Sequence, residues 1–241
     1  MIKSFKIFAI LFIGAILLSS CDSDIPVEQL KAKYLKPNSA FIDIEGVPVH
    51  YIIEGRMEDS LPIVFIHGTS ASLHTWDTLS SLLTPNKKII RFDLPAFGLT
   101  GPNRLNQYNF NFYNQFLDDF LSKLNVTQCI LAGNSLGGSI AWNYAIASPN
   151  KVKQLILLDA SGYPKKDEKG SLGFKLAAIP VLNQALKHIS PISLIRKSLE
   201  DAFYNKALVT EKMVQQYHDM LLREGNRAAV LELFQHPMKA N

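Results

Sequence analysis

Residues 128–147 join a short apolar run, a glycine-rich turn and a second apolar run, and this succession constrains the fold more than any other feature. Cys129–Ala132 is typical of a buried strand, residues 133–138 read G-N-S-L-G-G, and Gly137–Ala147 is typical of a helix. A strand that becomes a helix within a few residues bends sharply, which strains the backbone of Ser135 and lifts its hydroxyl above the end of the strand. Gly133 and Gly137 suit this bend because a Cβ atom at either position would crowd it.

Strand and helix patterns alternate through residues 41–158. Runs of β-branched and aromatic residues predict strands at 41–44, 47–53, 61–66, 88–92, 129–132 and 155–158, the first two joined by a turn at Glu45–Gly46. Apolar residues at helical spacing predict helices over 72–83, 113–124 and 137–147. Because alternating strands and helices form right-handed crossovers, we predict a mostly parallel sheet with helices on both faces.

The start of the predicted helix gives Ser135 a chemical role. The positive end of a helix dipole would lie beneath the serine, and the backbone N–H of Leu136 would point to where an oxyanion forms. A serine hydroxyl becomes a good nucleophile when a base, usually a histidine oriented by a carboxylate, takes its proton. Ser135 is therefore the candidate catalytic residue.

From Phe41 to Ser161 the chain resembles the α/β-hydrolase superfamily. Besides the serine turn, the resemblance rests on H-G-T at 67–69, D-L-P-A-F-G-L-T at 93–100 and L-I-L-L-D-A-S at 155–161. It implies the fold of that superfamily, with a helical lid after the sixth strand, and an oxyanion held by the N–H groups of Thr69 and Leu136.

Other residues of these motifs have structural roles in the superfamily. The resemblance implies that His67 organises its loop and that Asp93 braces its turn, in which Ala96 stands where glycine is usual. Members that cleave halides or epoxides carry aspartate at the position of Ser135.

The acid and the base of the superfamily have no match in this sequence. Their order along the chain is serine, acid, histidine. His188, His218 and His236 follow Ser135, and neither a β-branched run nor a glycine-aspartate loop precedes any of them. Asp159 is a fallback acid in some relatives.

Residues 162–241 show only helical patterns, at 181–189, 194–204, 211–223 and 227–234. We therefore expect a chain truncated before the last two strands, without the catalytic acid and base. The strand at 155–158 would then have an unpaired edge, which predicts reduced stability and little turnover.

The amino terminus has the layout of a secretory signal, in which Lys3 and Lys6 precede an apolar run over 7–18. That run is shorter than the roughly 20 residues that a membrane-spanning helix needs. L-S-S-C at 18–21 resembles the lipobox of bacterial lipoproteins, which implies a lipid on Cys21 and anchoring in the cell envelope, on the periplasmic or extracellular face. An ordinary cleaved signal followed by an incidental cysteine is the alternative.

These interpretations divide the chain into a lipoprotein signal peptide (1–20), a polar tether (21–39), an α/β-hydrolase core (40–161) and a helical lid (162–241).

Composition limits the classes of partner that this protein could bind. The formal net charge is +4, and nothing in it suggests a nucleic-acid partner. No metal- or phosphate-binding motif is present, so neither a metal site nor a cofactor is predicted. The sequence has no signature of oligomeric state.

The predicted function is hydrolysis of a small carboxylic-ester-like substrate through an acyl-enzyme on Ser135, impaired by the missing acid and base. The alternative from another class is a non-catalytic remnant or binding module with the same core. Within enzymes, hydrolysis of carbon–carbon bonds, lactone opening and perhydrolysis use the same parts.

Overall fold

The computed structural model describes residues 23–162, 190–236 and 238. The strands are β1 (Ser39–Ile44), β2 (Val47–Gly55), β3 (Ile63–Ile66), β4 (Lys88–Phe92), β5 (Cys129–Asn134) and β6 (Val152–Leu158). The α-helices are α1 (Val27–Tyr34), α2 (Asp77–Leu83), α3 (Phe110–Lys123), α4 (Leu136–Ala147), α5 (Ile192–Ala202), α6 (Glu211–Leu222) and α7 (Asn226–Gln235). Short 3₁₀ helices span Leu73–Trp76 and Lys206–Leu208. The predicted helix at 181–189 lies outside the described residues.

The strands form one six-stranded sheet in the order β1-β2-β4-β3-β5-β6. β2 pairs antiparallel with β1 and with β4, whereas β4, β3, β5 and β6 run parallel to one another. The predicted mostly parallel sheet is thus confirmed. Because β3 and β5 are parallel neighbours, the turns that follow them, at 67–69 and 133–138, reach the same edge of the sheet.

Side chains of β5 are buried on both faces of the sheet. Cys129 and Leu131 belong to the large core that includes residues of α3 and α4. Ile130 and Ala132 belong to a second core, with Trp76 on the opposite face. Burial on both faces explains why this strand is a continuous apolar run rather than an alternating one.

The amino-terminal segment differs from the predicted tether. Its helix α1 buries Leu30 against Leu99 and Met220, and Asp219 accepts hydrogen bonds from Lys33 (2.6 Å) and Tyr34 (2.7 Å). Apolar residues at 27, 30 and 34 form a stripe at helical spacing within a polar segment. Residues 21 and 22 of the predicted tether lie outside the described residues.

Three helices occupy the described part of the predicted lid, and two of them, α6 and α7, pack against loops at the carboxyl edge of the sheet. The patterns at 194–204, 211–223 and 227–234 correspond to α5, α6 and α7. Met220 of α6 and Val230 of α7 line a small cavity together with Ala71 and Phe97, which lie in the loops after β3 and β4. Within the described ranges, no helix combines the length and the apolar character needed to span a membrane.

Strand β6 forms one edge of the sheet. Among the described residues it pairs only with β5, and its last four side chains, Leu155–Leu158, are between 38% and 46% exposed. Such an edge offers unpaired N–H and C=O groups to another strand.

Candidate active site

Ser135 occupies the sharp bend between β5 and α4. Its backbone has φ 51° and ψ −116°, the strained conformation that the motif predicts. A Cβ atom on Gly133 would lie 2.2 Å from the carbonyl oxygen of Gly137, and one on Gly137 would lie 2.3 Å from that of Ile66. Both glycines are therefore required, because backbone atoms on either side leave no room for a side chain.

The end of β6 supports this bend. The N–H of Ser135 donates to the carbonyl oxygen of Leu158 (3.0 Å), as does the side-chain amide of Asn134 (3.0 Å). The carbonyl oxygen of Ser135 accepts from the N–H groups of Ser139 and Ser161, both at 3.1 Å. The serine is thus held rigidly through its backbone, while its side chain is only half-buried.

The loop after β3 lies directly beside Ser135. Ile66 is paired with Gly133, so the two residues that follow Ile66 continue alongside Asn134 and Ser135. A Cβ atom on Gly68 would lie 3.2 Å from the Cβ atom of Ser135. Thr69 is the next residue.

Two backbone N–H groups next to Ser135 are available to a ligand. Leu136 is the first residue of α4, so its N–H has no acceptor within the helix. Among the described residues, the N–H of Thr69 has no acceptor either. Leu136 directly follows the serine, and Thr69 directly follows Gly68, which packs against it, so these two N–H groups are the candidate donors to an oxyanion.

His67 connects this loop to the turn after β4. Its Nε2 atom accepts a hydrogen bond from the N–H of Leu94 (2.9 Å), so Nδ1 carries the proton and donates to the carbonyl oxygen of Gly68 (2.8 Å). Burial lowers the pKa of His67, which keeps the ring neutral. These contacts agree with the loop-organising role that the sequence predicts.

Asp93 braces its turn from within the core. Its carboxylate accepts hydrogen bonds from the N–H groups of Leu73 (2.7 Å) and Leu99 (2.8 Å) and from Nδ1 of His50 (2.8 Å). Burial by itself raises the pKa of Asp93, but the imidazole of His50 and the backbone donors outweigh it and lower the pKa to about 2. Ala96 adopts φ 86° in this turn, a conformation that favours glycine.

Sequence reasoning missed the partner of Asp93. Nε2 of His50 lies 2.9 Å from the hydroxyl oxygen of Ser39, so serine, histidine and aspartate form a hydrogen-bonded chain that does not include Ser135. His50 and Asp93 are completely buried. These hydrogen bonds connect β1 and β2 to the turn after β4. The signal that could have indicated it is one histidine within an otherwise apolar stretch of strand.

The histidines after Ser135 have other partners or lie elsewhere. His188 is outside the described residues. Nε2 of His218 donates to the carbonyl oxygen of Ser190 (2.8 Å), and the exposed His236 pairs with Glu232 (2.8 Å). Within the described ranges, no histidine is hydrogen-bonded to the hydroxyl of Ser135, and the exposed Asp159 has no histidine partner.

A small cavity lies between the loop after β3, the turn after β4 and the lid helices. Its volume is about 10 Å³, roughly the space of one water molecule, and its lining is mainly apolar. The side-chain oxygen of Asn226, which also lines it, has no partner among the described residues. α6 and α7 thus pack closely against the loop after β3 and the turn after β4.

Residues 62–178 match a family model described as alpha/beta hydrolase fold. The uncharacterized hydrolase YugF of Bacillus subtilis is 29% identical over 177 residues, which are 72% of this chain and 63% of that protein. The 2-hydroxy-6-oxo-2,4-heptadienoate hydrolase of Pseudomonas putida is 23% identical over 77% of this chain and 67% of its own length. The crystal structure of the Cif epoxide hydrolase from Acinetobacter nosocomialis superposes with a TM-score of 0.73 at 17% identity, covering 92% of this chain and 72% of that one.

Proposed function

The chain has the α/β-hydrolase fold that its motifs predict, and from this premise we propose that it is a serine hydrolase of small carboxylic-ester-like substrates. The observation that carries the proposal is the strained Ser135, which Leu136 directly follows and against which Gly68, the residue before Thr69, is packed. The hydroxyl oxygen of Ser135 would attack the substrate carbonyl carbon while the two N–H groups stabilise the negative charge on its oxygen. The bond from the carbonyl carbon to the alcohol oxygen would break, and the alcohol would leave with the proton given up by Ser135. Water would then release the acyl group as an acid and return a proton to the serine.

The identity of the nucleophile favours acyl transfer. A serine oxygen forms an acyl-enzyme at a carbonyl carbon, and this step does not require the carboxylate nucleophile of epoxide-cleaving relatives. Carbon–carbon bond hydrolysis, the reaction named for the Pseudomonas putida relative, begins at a carbonyl carbon too and is the alternative within enzymes. Lactone opening and perhydrolysis would use the same residues and are further alternatives.

One observation favours a second candidate, a binding module without turnover. Among the described residues, no histidine is hydrogen-bonded to the hydroxyl of Ser135, and an unassisted serine hydroxyl is a weak nucleophile. We therefore expect low turnover from this chain, whichever acyl substrate is used.

Labelling with a fluorophosphonate probe tests the proposal, because covalent reaction requires an activated serine. If the chain is a serine hydrolase, the full chain is labelled at Ser135 and Ser135→Ala falls to background. If it is a binding module without turnover, neither chain is labelled. Ser39→Ala is the matched control, since Ser39 is the serine bonded to a histidine, and it should label as the parent chain does. Absence of labelling in the parent chain, or its loss in Ser39→Ala alone, would favour the binding module or a different nucleophile.

We also propose that the chain is exported and anchored by a lipid on Cys21. The proposal is supported by the basic and apolar segments before the cysteine and by the small residues Ser19 and Ser20 next to it. Several acyl chains on one residue give stable anchoring, because each buried methylene contributes about 0.8 kcal/mol.

Replacing Cys21 with serine should abolish this anchoring. In a bacterial host fed labelled palmitate, the parent chain should carry the label and sediment with membranes, whereas Cys21→Ser should lose both properties. Cys129→Ser is the control, because Cys129 is a buried core residue and has no part in anchoring. A parent chain without the label, or a labelled Cys21→Ser variant, contradicts the proposal.

A further inference from the structure

The first described residues contact the junction of α6 and α7. The N–H of Ile25 donates to the carbonyl oxygen of Leu222 (2.7 Å), and the N–H of Glu224 donates to that of Ile25 (3.0 Å). Asp24 forms an ion pair with Arg227 at 2.6 Å. From residue 24 onward, the chain is therefore fixed to the junction of α6 and α7.

This attachment leaves little chain between the fold and the proposed anchor. Only residues 22 and 23 separate Cys21 from Asp24. Since an extended chain spans at most about 3.6 Å per residue, a lipid on Cys21 would hold the junction of α6 and α7 within about 11 Å of the bilayer surface. The lid, and not the amino end of the sheet, is then the side next to the membrane.

The other end of α6 carries exposed apolar side chains. We call residues 203–212 the lid tip. There Tyr204 is fully exposed and Leu208 is 56% exposed. Because α6 spans about 18 Å, at 1.5 Å per residue, the lid tip lies one helix length from the anchored junction.

The charges at the lid tip suit a lipid surface. Glu211, the acidic residue of the lid tip, is paired with Arg196, and Asp201, which precedes the lid tip, is paired with Lys197. Lys206 and Lys212 are exposed and, among the described residues, have no ion-pair partner. Tyrosine beside lysine is a combination found at the headgroup level of bilayers, where the ring is half-inserted and the ammonium group meets anionic phosphates.

We propose that the lid tip docks on the surface of the bilayer that holds the lipid of Cys21, with Tyr204 and Leu208 among the headgroups. The inference rests on the proposed anchoring and does not depend on catalysis by Ser135. The short link supports membrane contact at one end of α6, and the exposed apolar residues of the lid tip support it at the other.

Depth-dependent quenching tests this orientation. The lipidated full chain is placed in vesicles of phosphatidylethanolamine and phosphatidylglycerol, with an NBD fluorophore on Leu208→Cys and, as the matched control, on Met57→Cys. Leu208 and Met57 are equally exposed (56% and 55%), but Met57 follows β2 on a loop distant from the lid. Cys129 is buried and its thiol pKa is raised to about 12, so the label falls on the introduced cysteine.

We expect spin-labelled lipid to quench the fluorophore at position 208 about threefold more than at position 57, as an interfacial group requires. Equal quenching at both positions, or stronger quenching at 57, overturns the inference. A chain that does not bind the vesicles overturns it together with the anchoring, whereas fluorophosphonate labelling of Ser135 is unaffected by that failure.

Discussion

Replacing Asp93 with alanine should lower the free energy of unfolding by about 3 to 5 kcal/mol, a large part of the 5–15 kcal/mol that stabilises a typical domain. The change removes a completely buried carboxylate and leaves three donors without an acceptor: the N–H groups of Leu73 and Leu99 and Nδ1 of His50. Each buried donor left unsatisfied costs about 1–3 kcal/mol. Urea unfolding followed by circular dichroism measures the loss.

The control for this experiment is Ser39→Ala, which removes only the hydroxyl at the other nitrogen of His50 and should cost about 1 kcal/mol. Asp93→Asn tests the role of charge. Because the pKa of Asp93 is lowered from 3.8 to about 2, its ionic stabilisation is complete above pH 4 and is lost as the pH falls toward 2. The parent chain should therefore lose stability over this range more steeply than Asp93→Asn. Parallel acid profiles would show that the carboxylate charge contributes nothing.

Replacing Gly137 with alanine should slow fluorophosphonate labelling of Ser135 about a hundredfold, since a displacement of 1 Å at a reacting group has an effect of that size. The added Cβ atom would lie 2.3 Å from the carbonyl oxygen of Ile66 and 2.4 Å from that of His67. Neither oxygen can move without shifting β3 or the loop that carries Thr69. We also expect a loss of stability of about 1–3 kcal/mol from overpacking.

Ser139→Ala is the matched control for Gly137→Ala. Ser139 lies on the same helix as Gly137. The substitution adds no atoms and removes only a side-chain hydrogen bond to the carbonyl oxygen of Leu136 (2.7 Å). Its labelling rate should stay near that of the parent chain. A Gly137→Ala variant that is labelled at the parent rate would mean that the bend does not position the serine.

Features governed by neighbouring residues could be predicted from the sequence. Lys88–Phe92 was predicted to the residue, because the four residues after Lys88 are buried and form a nearly continuous apolar run. The strained Ser135 and the crowding at Gly133 and Gly137 follow from a turn of only a few residues. Boundaries were less accurate: β6 begins at Val152 rather than at 155, because Lys153 and Gln154 interrupt its apolar pattern.

Features governed by distant residues could not be predicted. Nothing near His50 in the sequence indicates that its partner is Asp93, and nothing near Asp219 indicates Lys33, 186 positions away. The docking of α1 depends on such contacts, so its polar composition was interpreted as a tether. The lid helices were predicted from their spacing, but their position over the loops after β3 and β4 is set by tertiary packing.

The pairing of Asp24 with Arg227, 203 positions apart, also has a consequence for how the molecule assembles. In a chain made from its amino end, Asp24 has no Arg227 to pair with until α7 has emerged, and closing so long a loop costs entropy that only the finished contacts offset. The closure of α1 onto α6 and α7 is therefore expected to be a late event in folding. By the same reasoning it is the first to open under mild denaturation, so a protease should cut near residues 23–38 before it cuts the sheet.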